Sequence, residues 1–187
     1  TVQSMADASP AKWHLAHTSW FFETFVLRDV PGYRLVDPAY AYLFNSYYEA
    51  EGPRHARPRR GLLTRPSLDE VRAYRAHVDT ALVAAWPRLG AEARALVELG
   101  CHHEQQHQEL LLTDVLHLFA QNPLRPALWP SRCPFLSSEV AARFSASLKA
   151  REWREFEGGA VEIGHVGPAF AFDCEGPRHQ LLLQPFA

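Results

Sequence analysis

The chain has 187 residues, of which 47% are hydrophobic, and its formal net charge is −2. This length suits one domain, or one domain and a piece of another, and the hydrophobic content argues against a disordered chain. The charge balance gives no reason to expect a nucleic acid or a membrane surface as a partner, and no apolar run approaches the roughly 20 residues that span a bilayer.

The first predicted element is a helix near the start of the chain. Ser9 is a favourable N-cap and Pro10 fits the first helical position, so the helix should begin here and end at Pro31. A short aromatic helix is predicted over residues 38–48. Residues 52–66 are basic and rich in proline, which predicts an ordered loop.

Two longer helices follow the loop. Ser67 and Glu70 have the spacing of a capping box, which predicts a helix that continues until Pro87 stops it. The next helix is predicted over about residues 91–121, and a shorter one near 137–148.

The sequence changes character after about residue 150. Glycine and proline punctuate short alternating stretches, which indicates β-hairpins. We therefore predict a mainly α protein, with a helical bundle over residues 1–150 and a short β-rich segment over 151–187. That segment is too small for an independent domain, so we expect it to be a covering flap or the start of a larger one.

The sequence HHEQQH at residues 102–107 is the most distinctive motif. His103 and His107 are four residues apart, so on a helix they lie on one face and can bind one metal ion. Their stripe is apolar and directs both rings into the bundle, where buried polar groups need partners. The leucines of this stripe are Leu96, Leu99, Leu110 and Leu111. Hydrogen bonding to other helices is the structural alternative, and we favour a metal.

The first helix supplies a further histidine. His17 shares an aromatic face with Trp13, Trp20 and Phe21, so it can complete a site of three histidines in the bundle core. His14 is interpreted as a wall residue or as a group behind the ligands. The remaining histidines considered have no comparable pairing, and we expect solvated or structural roles for His55, His77, His102 and His117.

A zinc peptidase is a competing interpretation, because residues 103–107 also spell H-E-x-x-H. The extended version of that motif needs glycine and histidine where this chain has Leu110 and Thr113. The version with a downstream glutamate ligand has only Glu139 as a formal candidate. Glu104 points about 100° away from its neighbour around the helix, so we interpret it as a supporting or surface group.

The loop GPRHARPRR contains four arginines, Arg54, Arg57, Arg59 and Arg60. Such a run is commonly a solvated basic loop. The functional alternative is recognition of a carboxylate, because the planar guanidinium can bind both carboxylate oxygens.

Four blocks of the sequence together resemble one family. SPAKWHLAHTSWFFETFVL, FNSYYEAEGPRHARPRRGLLTRPS and HHEQQHQELLLTDVLH are similar to the N-terminal, DinB-like four-helix bundle of ergothioneine-biosynthesis sulfoxide synthases. The tail GGAVEIGHVGPAFAFDCEGPRHQLLLQPFA resembles the opening of their second domain, which is similar to formylglycine-generating enzymes and C-type lectins. The four blocks occur in the family's order and span nearly the whole chain.

The resemblance implies a non-haem iron(II) enzyme that uses O2 to join a cysteine-containing thiol to C2 of a histidine betaine, giving a sulfoxide. The matching iron ligands are His17, His103 and His107. Arg57 and Arg60 match arginines that bind the carboxylates of the thiol, γ-glutamylcysteine or cysteine in different branches. Gln106 matches a position near trimethylhistidine, the imidazole substrate.

The resemblance also limits what this chain does alone. The family's second domain supplies much of the substrate pocket, including a tyrosine for proton and redox control, so we expect an incomplete enzyme and assign no catalytic residue. The alternatives are a DinB-like zinc-dependent thiol transferase or hydrolase and a non-enzymatic metal-binding bundle. Zn2+ or Ni2+ can replace Fe2+ in a purified sample. The three cysteines form no disulfide framework, so we expect a cytoplasmic protein.

Overall fold

The computed structural model describes residues 2–128 and 153–187. It is mainly helical with a small two-stranded antiparallel sheet. The chain divides into two compact units, Thr1–Ala127 and Leu128–Ala187. The helix predicted over 137–148 and the domain boundary predicted at residue 150 lie outside the described residues. Since the described part contains three long helices, it does not confirm a four-helix bundle.

The first helix, α1, spans Ala11–Phe22 and continues into a π-helical turn over Glu23–Leu27. Pro10 occupies the N-cap position and no side chain caps the helix, so the prediction of Ser9 as N-cap is wrong. The Ser9 hydroxyl instead accepts a hydrogen bond from Arg60 Nη1 at 2.9 Å. The hydrogen bond to Arg60, which is distant in sequence, thus takes the place of a local capping hydrogen bond at the start of α1.

The segment after α1 contains only short helices. The aromatic helix, α2, spans Tyr40–Phe44, which is shorter than the predicted 38–48. The basic, proline-rich segment is ordered, as predicted, and includes a 3-10 helix over Arg57–Leu62.

The capping box predicted the start of the next helix correctly. In α3, Leu68–Ala85, the Glu70 amide donates to Ser67 Oγ at 3.2 Å, and the Ser67 amide donates to Glu70 Oε2 at 2.6 Å. Two orphan amides at the helix start are thus satisfied. The last long helix, α4, spans Ala91–Ala120, close to its predicted bounds.

The hydrophobic core of the helical unit is built around α1, which packs against both α3 and α4. Burying an aromatic or branched side chain of this kind stabilises a fold by roughly 1.5–3 kcal/mol. The buried apolar side chains of this core include Trp20, Phe21, Phe44, Val71, Tyr74 and Val78. A buried carboxylate, Glu23, accepts hydrogen bonds from Tyr33 at 2.8 Å and from Tyr74 at 2.5 Å.

The second unit contains the hairpin that the glycine and proline pattern predicted. Strand β1, Gly159–Ile163, pairs antiparallel with β2, His179–Leu183, and Phe156 pairs with Phe186 beyond the strand ends. As for membranes, the helices in the described segments all lack either the length or the apolar character needed to cross a bilayer.

Candidate metal centre

Helix α1 places His17 at the centre of the helical unit. The side chain is 0% exposed and is held between two indole rings, with ring centroids 4.6 Å away at Trp13 and 5.6 Å away at Trp20. Its Nδ1 lies 2.6 Å from the Phe44 carbonyl oxygen. A carbonyl can only accept, so Nδ1 carries the hydrogen and the neutral ring has its free lone pair on Nε2.

Helix α4 brings His103 and His107 to the same point. The two rings lie one turn apart, with centroids separated by 4.6 Å. Close approach of α4 to α1 depends on Gly100, one turn before His103. A Cβ at Gly100 would lie 2.4 Å from Phe22 Cε1, so no larger residue fits without displacement.

The three histidines form one cluster. The candidate ligand nitrogens of His17, His103 and His107 all lie within 4.8 Å of one another. The ring of His17 has its centroid 4.9 Å from that of His103 and 4.6 Å from that of His107. Three imidazole nitrogens at such separations can converge on a single divalent ion with modest rotations of the side chains.

Unpaired buried nitrogens are the feature that best matches a metal site. His17 Nε2 and both ring nitrogens of His103 are buried without a hydrogen-bond partner in the described structure. Buried polar groups are nearly always hydrogen-bonded, because leaving one unpaired costs about 1–3 kcal/mol. A coordinated cation would satisfy His17 Nε2 and one ring nitrogen of His103, so the residues present fit a metal.

The electrostatic environment keeps the cluster neutral. Burial lowers the pKa of His103 to about 4 and, together with the neighbouring histidines, the pKa of His107 to about 3. Burial also holds the pKa of His17 well below its usual range. Neutral imidazole is the form that binds a metal, so at pH 7 all three rings have the protonation state that coordination requires.

A hydrogen-bonded chain lies behind one member of the cluster. His14 Nδ1 is 2.9 Å from His107 Nδ1, and His14 Nε2 is 3.0 Å from Asp114 Oδ2. The same Asp114 oxygen accepts the backbone amide of Ser9 at 2.8 Å. Burial lowers the pKa of His14, and the hydrogen bond to Asp114 opposes this shift. His14 therefore lies behind the cluster, as the sequence suggested.

Two arginines of the basic segment lie beside the cluster. The Arg60 guanidinium is stacked 3.4 Å from the Trp13 ring centroid, and its side chain is 2% exposed. Arg60 Nη2 and Arg57 Nη2 both donate to Ser46 Oγ, at 3.3 and 3.5 Å. In the described segments, no carboxylate forms an ion pair with Arg60, and burial lowers its pKa to about 9. The interpretation of this segment as a solvated basic loop therefore does not hold for Arg60.

Glu104 and Gln106 lie outside the cluster. Glu104 Oε1 forms an ion pair with Arg75 at 2.9 Å, which ties it to α3 and disfavours a water-activating role. Gln106 is exposed, and no hydrogen bond holds its side chain in the described structure, so its contact with an imidazole stays a prediction. Glu139, the formal third ligand of a zinc peptidase site, lies outside the described residues. In the cluster, the third nitrogen comes from His17 of α1.

The apolar stripe predicted for α4 holds only in part. Leu96 and Leu99 pack against the core, but Leu110 is 48% exposed. Of the isolated histidines, His77 packs against the Tyr33 ring and His117 bonds to Ser4 Oγ at 2.8 Å, which are structural contacts.

Comparison with known proteins adds no assignment, since neither a scan of protein-family models nor a search of curated proteins gives a match to this chain.

Two residues of the site were not predicted from the sequence. Asp114 was not singled out, although it follows His107 by seven residues and so returns to nearly the same helix face. Ser9 was assigned only as a cap. Its amide bonds to Asp114 and its hydroxyl to Arg60, so it links the histidines to the arginines.

Proposed function

We propose that this chain is the metal-binding part of a non-haem iron(II), O2-dependent sulfoxide synthase of ergothioneine biosynthesis. The observation that carries the proposal is a cluster of three histidines, two of them buried with unpaired ring nitrogens, beside a buried arginine that has no carboxylate partner in the described structure. The sequence blocks that resemble the family contain all of these residues. We further propose that the helical unit is a DinB-like four-helix bundle.

His17, His103 and His107 would hold the ion through neutral nitrogens. When bound, Fe2+ would supply the redox chemistry that couples O2 to formation of the carbon–sulfur bond. Three neutral histidines also suit Zn2+. Zinc-dependent thiol transfer or hydrolysis is therefore the alternative, and the choice of metal must be tested by activity.

Arg60 and Arg57 would bind the carboxylates of the thiol substrate. Burying a guanidinium without an anion is unfavourable, and a carboxylate bound by two hydrogen bonds would offset that energy. Trp13 contacts both the Arg60 guanidinium and the His17 ring. A thiol anchored at the arginines would thus lie next to the histidine cluster, which fixes its position relative to the second substrate.

The proposed reaction joins a thiol, γ-glutamylcysteine or cysteine, to C2 of trimethylhistidine. One thiol, one imidazole C–H and one O2 give one sulfoxide and one water, so both oxygen atoms and both hydrogens are accounted for. The indoles of Trp13 and Trp20 cover His17 and exclude water from that side of the cluster. Gln106 is proposed to approach the imidazole substrate. We place this chemistry in the cytoplasm, where thiols are kept reduced.

The test is substrate-dependent O2 consumption by the protein with its second domain complete. We expect uptake only when Fe2+, the thiol and trimethylhistidine are present together. Arg60→Lys keeps the charge but loses the two-pronged contact, so the KM for the thiol should rise far more than the KM for trimethylhistidine. Arg59→Lys is the matched control, because Arg59 is exposed in the same 3-10 helix.

One result would reject the proposal in favour of the alternative. That result is thiol transfer or hydrolysis with Zn2+, combined with no substrate-dependent O2 uptake with Fe2+.

A further inference from the structure

We propose that Asp114 and His14 are positioning residues that fix the tautomer of His107 and so select Nε2 as its metal-binding atom. The inference rests on the proposed metal site and adds to it two residues that contact no ion themselves. It follows from the hydrogen-bonded chain Ser9–Asp114–His14–His107, taken one bond at a time.

The first link sets the direction of the chain. Asp114 Oδ2 accepts the Ser9 amide at 2.8 Å and lies 3.0 Å from His14 Nε2. An oxygen that already accepts one N–H and belongs to a carboxylate acts as an acceptor again. His14 Nε2 therefore carries its hydrogen and donates it to Asp114.

The second link transmits this direction to the ligand. A neutral imidazole with its hydrogen on Nε2 has a lone pair on Nδ1. His14 Nδ1 lies 2.9 Å from His107 Nδ1, and one of these two nitrogens must donate. Since His14 Nδ1 is the acceptor, His107 Nδ1 is the donor, and the lone pair of His107 lies on Nε2.

Two members of the cluster therefore have a tautomer that a hydrogen bond fixes. His17 is fixed as an Nδ1–H tautomer by the Phe44 carbonyl, and His107 by His14. His103 has no partner on either nitrogen in the described structure. A tautomer fixed before the ion arrives removes the wrong form from the metal-free ensemble, and groups of this kind typically contribute 10–100-fold to metal affinity.

The hydrogen-bonded chain from Ser9 to His107 can be tested without any metal. Long-range 1H–15N NMR of the metal-free protein at pH 7.5 distinguishes Nδ1–H, Nε2–H and doubly protonated rings. We expect His14 as the Nε2–H form and His107 as the Nδ1–H form. A doubly protonated His14, or His107 with its hydrogen on Nε2, would overturn the proposal. This spectrum decides the assignment even if a variant fails to fold.

Variants at Asp114 test the positioning role. Asp114→Leu removes the acceptor, so His107 should become a mixture of tautomers and the affinity for Co2+ or Zn2+ should fall 10–100-fold. Asp114→Asn keeps an acceptor oxygen and should retain both the His107 tautomer and most of the affinity. Glu109→Leu is the matched control, because it removes an exposed carboxylate from the same helix.

The outcomes separate this inference from the proposed function. Unchanged tautomers and unchanged affinity in a folded Asp114→Leu protein would overturn the positioning role. Wrong tautomers in a wild-type chain that still binds Fe2+, Co2+ or Zn2+ would overturn this inference and leave the proposed function standing. If the chain shows the expected tautomers but binds none of these ions, the tautomers are assigned correctly, and both the metal-selecting role and the proposed function fall.

Discussion

Replacing Gly100 by alanine should destabilise the protein, although helix propensity alone predicts the opposite. In a helix interior, alanine is favoured over glycine by about 1 kcal/mol. Here the new Cβ would lie 2.4 Å from Cε1 and 2.7 Å from Cζ of Phe22, and 3.1 Å from Phe21 Cε1. Carbon atoms prefer separations of about 3.5–4.0 Å, so the first contact is more than about 1 Å too short.

The steric term should outweigh the propensity term. Overpacking of this kind costs about 1–3 kcal/mol, and two overlapping contacts with a buried ring place it towards the upper end. A net loss of about 1–2 kcal/mol remains, which corresponds to a fall of roughly 2–8 °C in Tm for a protein of this size. The Phe21 ring also lies 4.8 Å from the His103 ring, so metal affinity should fall as well.

Thermal unfolding and Co2+ titration of Gly100→Ala would measure both effects. Ala95→Gly is the matched control, because it reports the propensity term at an exposed position of α4 and should lower stability by about 1 kcal/mol or less. Adding Phe22→Leu to Gly100→Ala should relieve the overlap and recover part of the loss. A Tm that rises in Gly100→Ala while it falls in Ala95→Gly would refute the argument.

Four further predictions concern the cluster and the core. His103→Ala and His107→Ala should each abolish binding of Fe2+ or Co2+ but keep the helical circular dichroism, and loss of helicity would instead indicate a structural metal. Stability of the metal-free protein, measured by urea unfolding, should decrease as the pH falls from about 6.5 towards 4. The depressed histidine pKa values make the unfolded state bind more protons over this window. Adding metal at 100 times its Kd should stabilise the wild type by about 2.7 kcal/mol, and an unchanged Tm would contradict a bound ion. Tyr74→Phe should cost about 1–3 kcal/mol, because it leaves the buried carboxylate of Glu23 with one donor fewer, whereas an unchanged midpoint in urea would show that water replaces the hydroxyl.

Local signals predicted the structure well where the partners are close in sequence. The side chain of Ser67 and that of Glu70 each accept a hydrogen bond from the other residue's backbone amide, three positions away. Their sequence pattern alone therefore predicted the start of α3. The spacing of His103 and His107 likewise placed both rings on one helix face. Ser9 carries the same type of capping signal, but its hydroxyl bonds to a residue 51 positions away, and no local rule anticipates that choice.

The burial of Arg60 and the role of Asp114, which the sequence did not predict, depend on tertiary packing. A run of arginines is usually solvated, and Arg60 is buried because Trp13, from a different helix, provides a flat surface for it. Similarly, the link between Asp114 and His14 requires α1 and α4 to lie against each other. Once the helices are paired, the seven-residue spacing from His107 to Asp114 explains why one face of α4 carries both groups.

The two indoles against His17 make the candidate centre optically observable. Trp13 and Trp20 both stack on this ring, with centroid distances of 4.6 and 5.6 Å. A paramagnetic ion held by the same imidazole would lie close enough to quench the fluorescence of both indoles, whereas Zn2+ has a closed shell and would not quench in this way. The protein thus contains its own reporter of which kind of ion occupies the cluster, and no external dye or label is required.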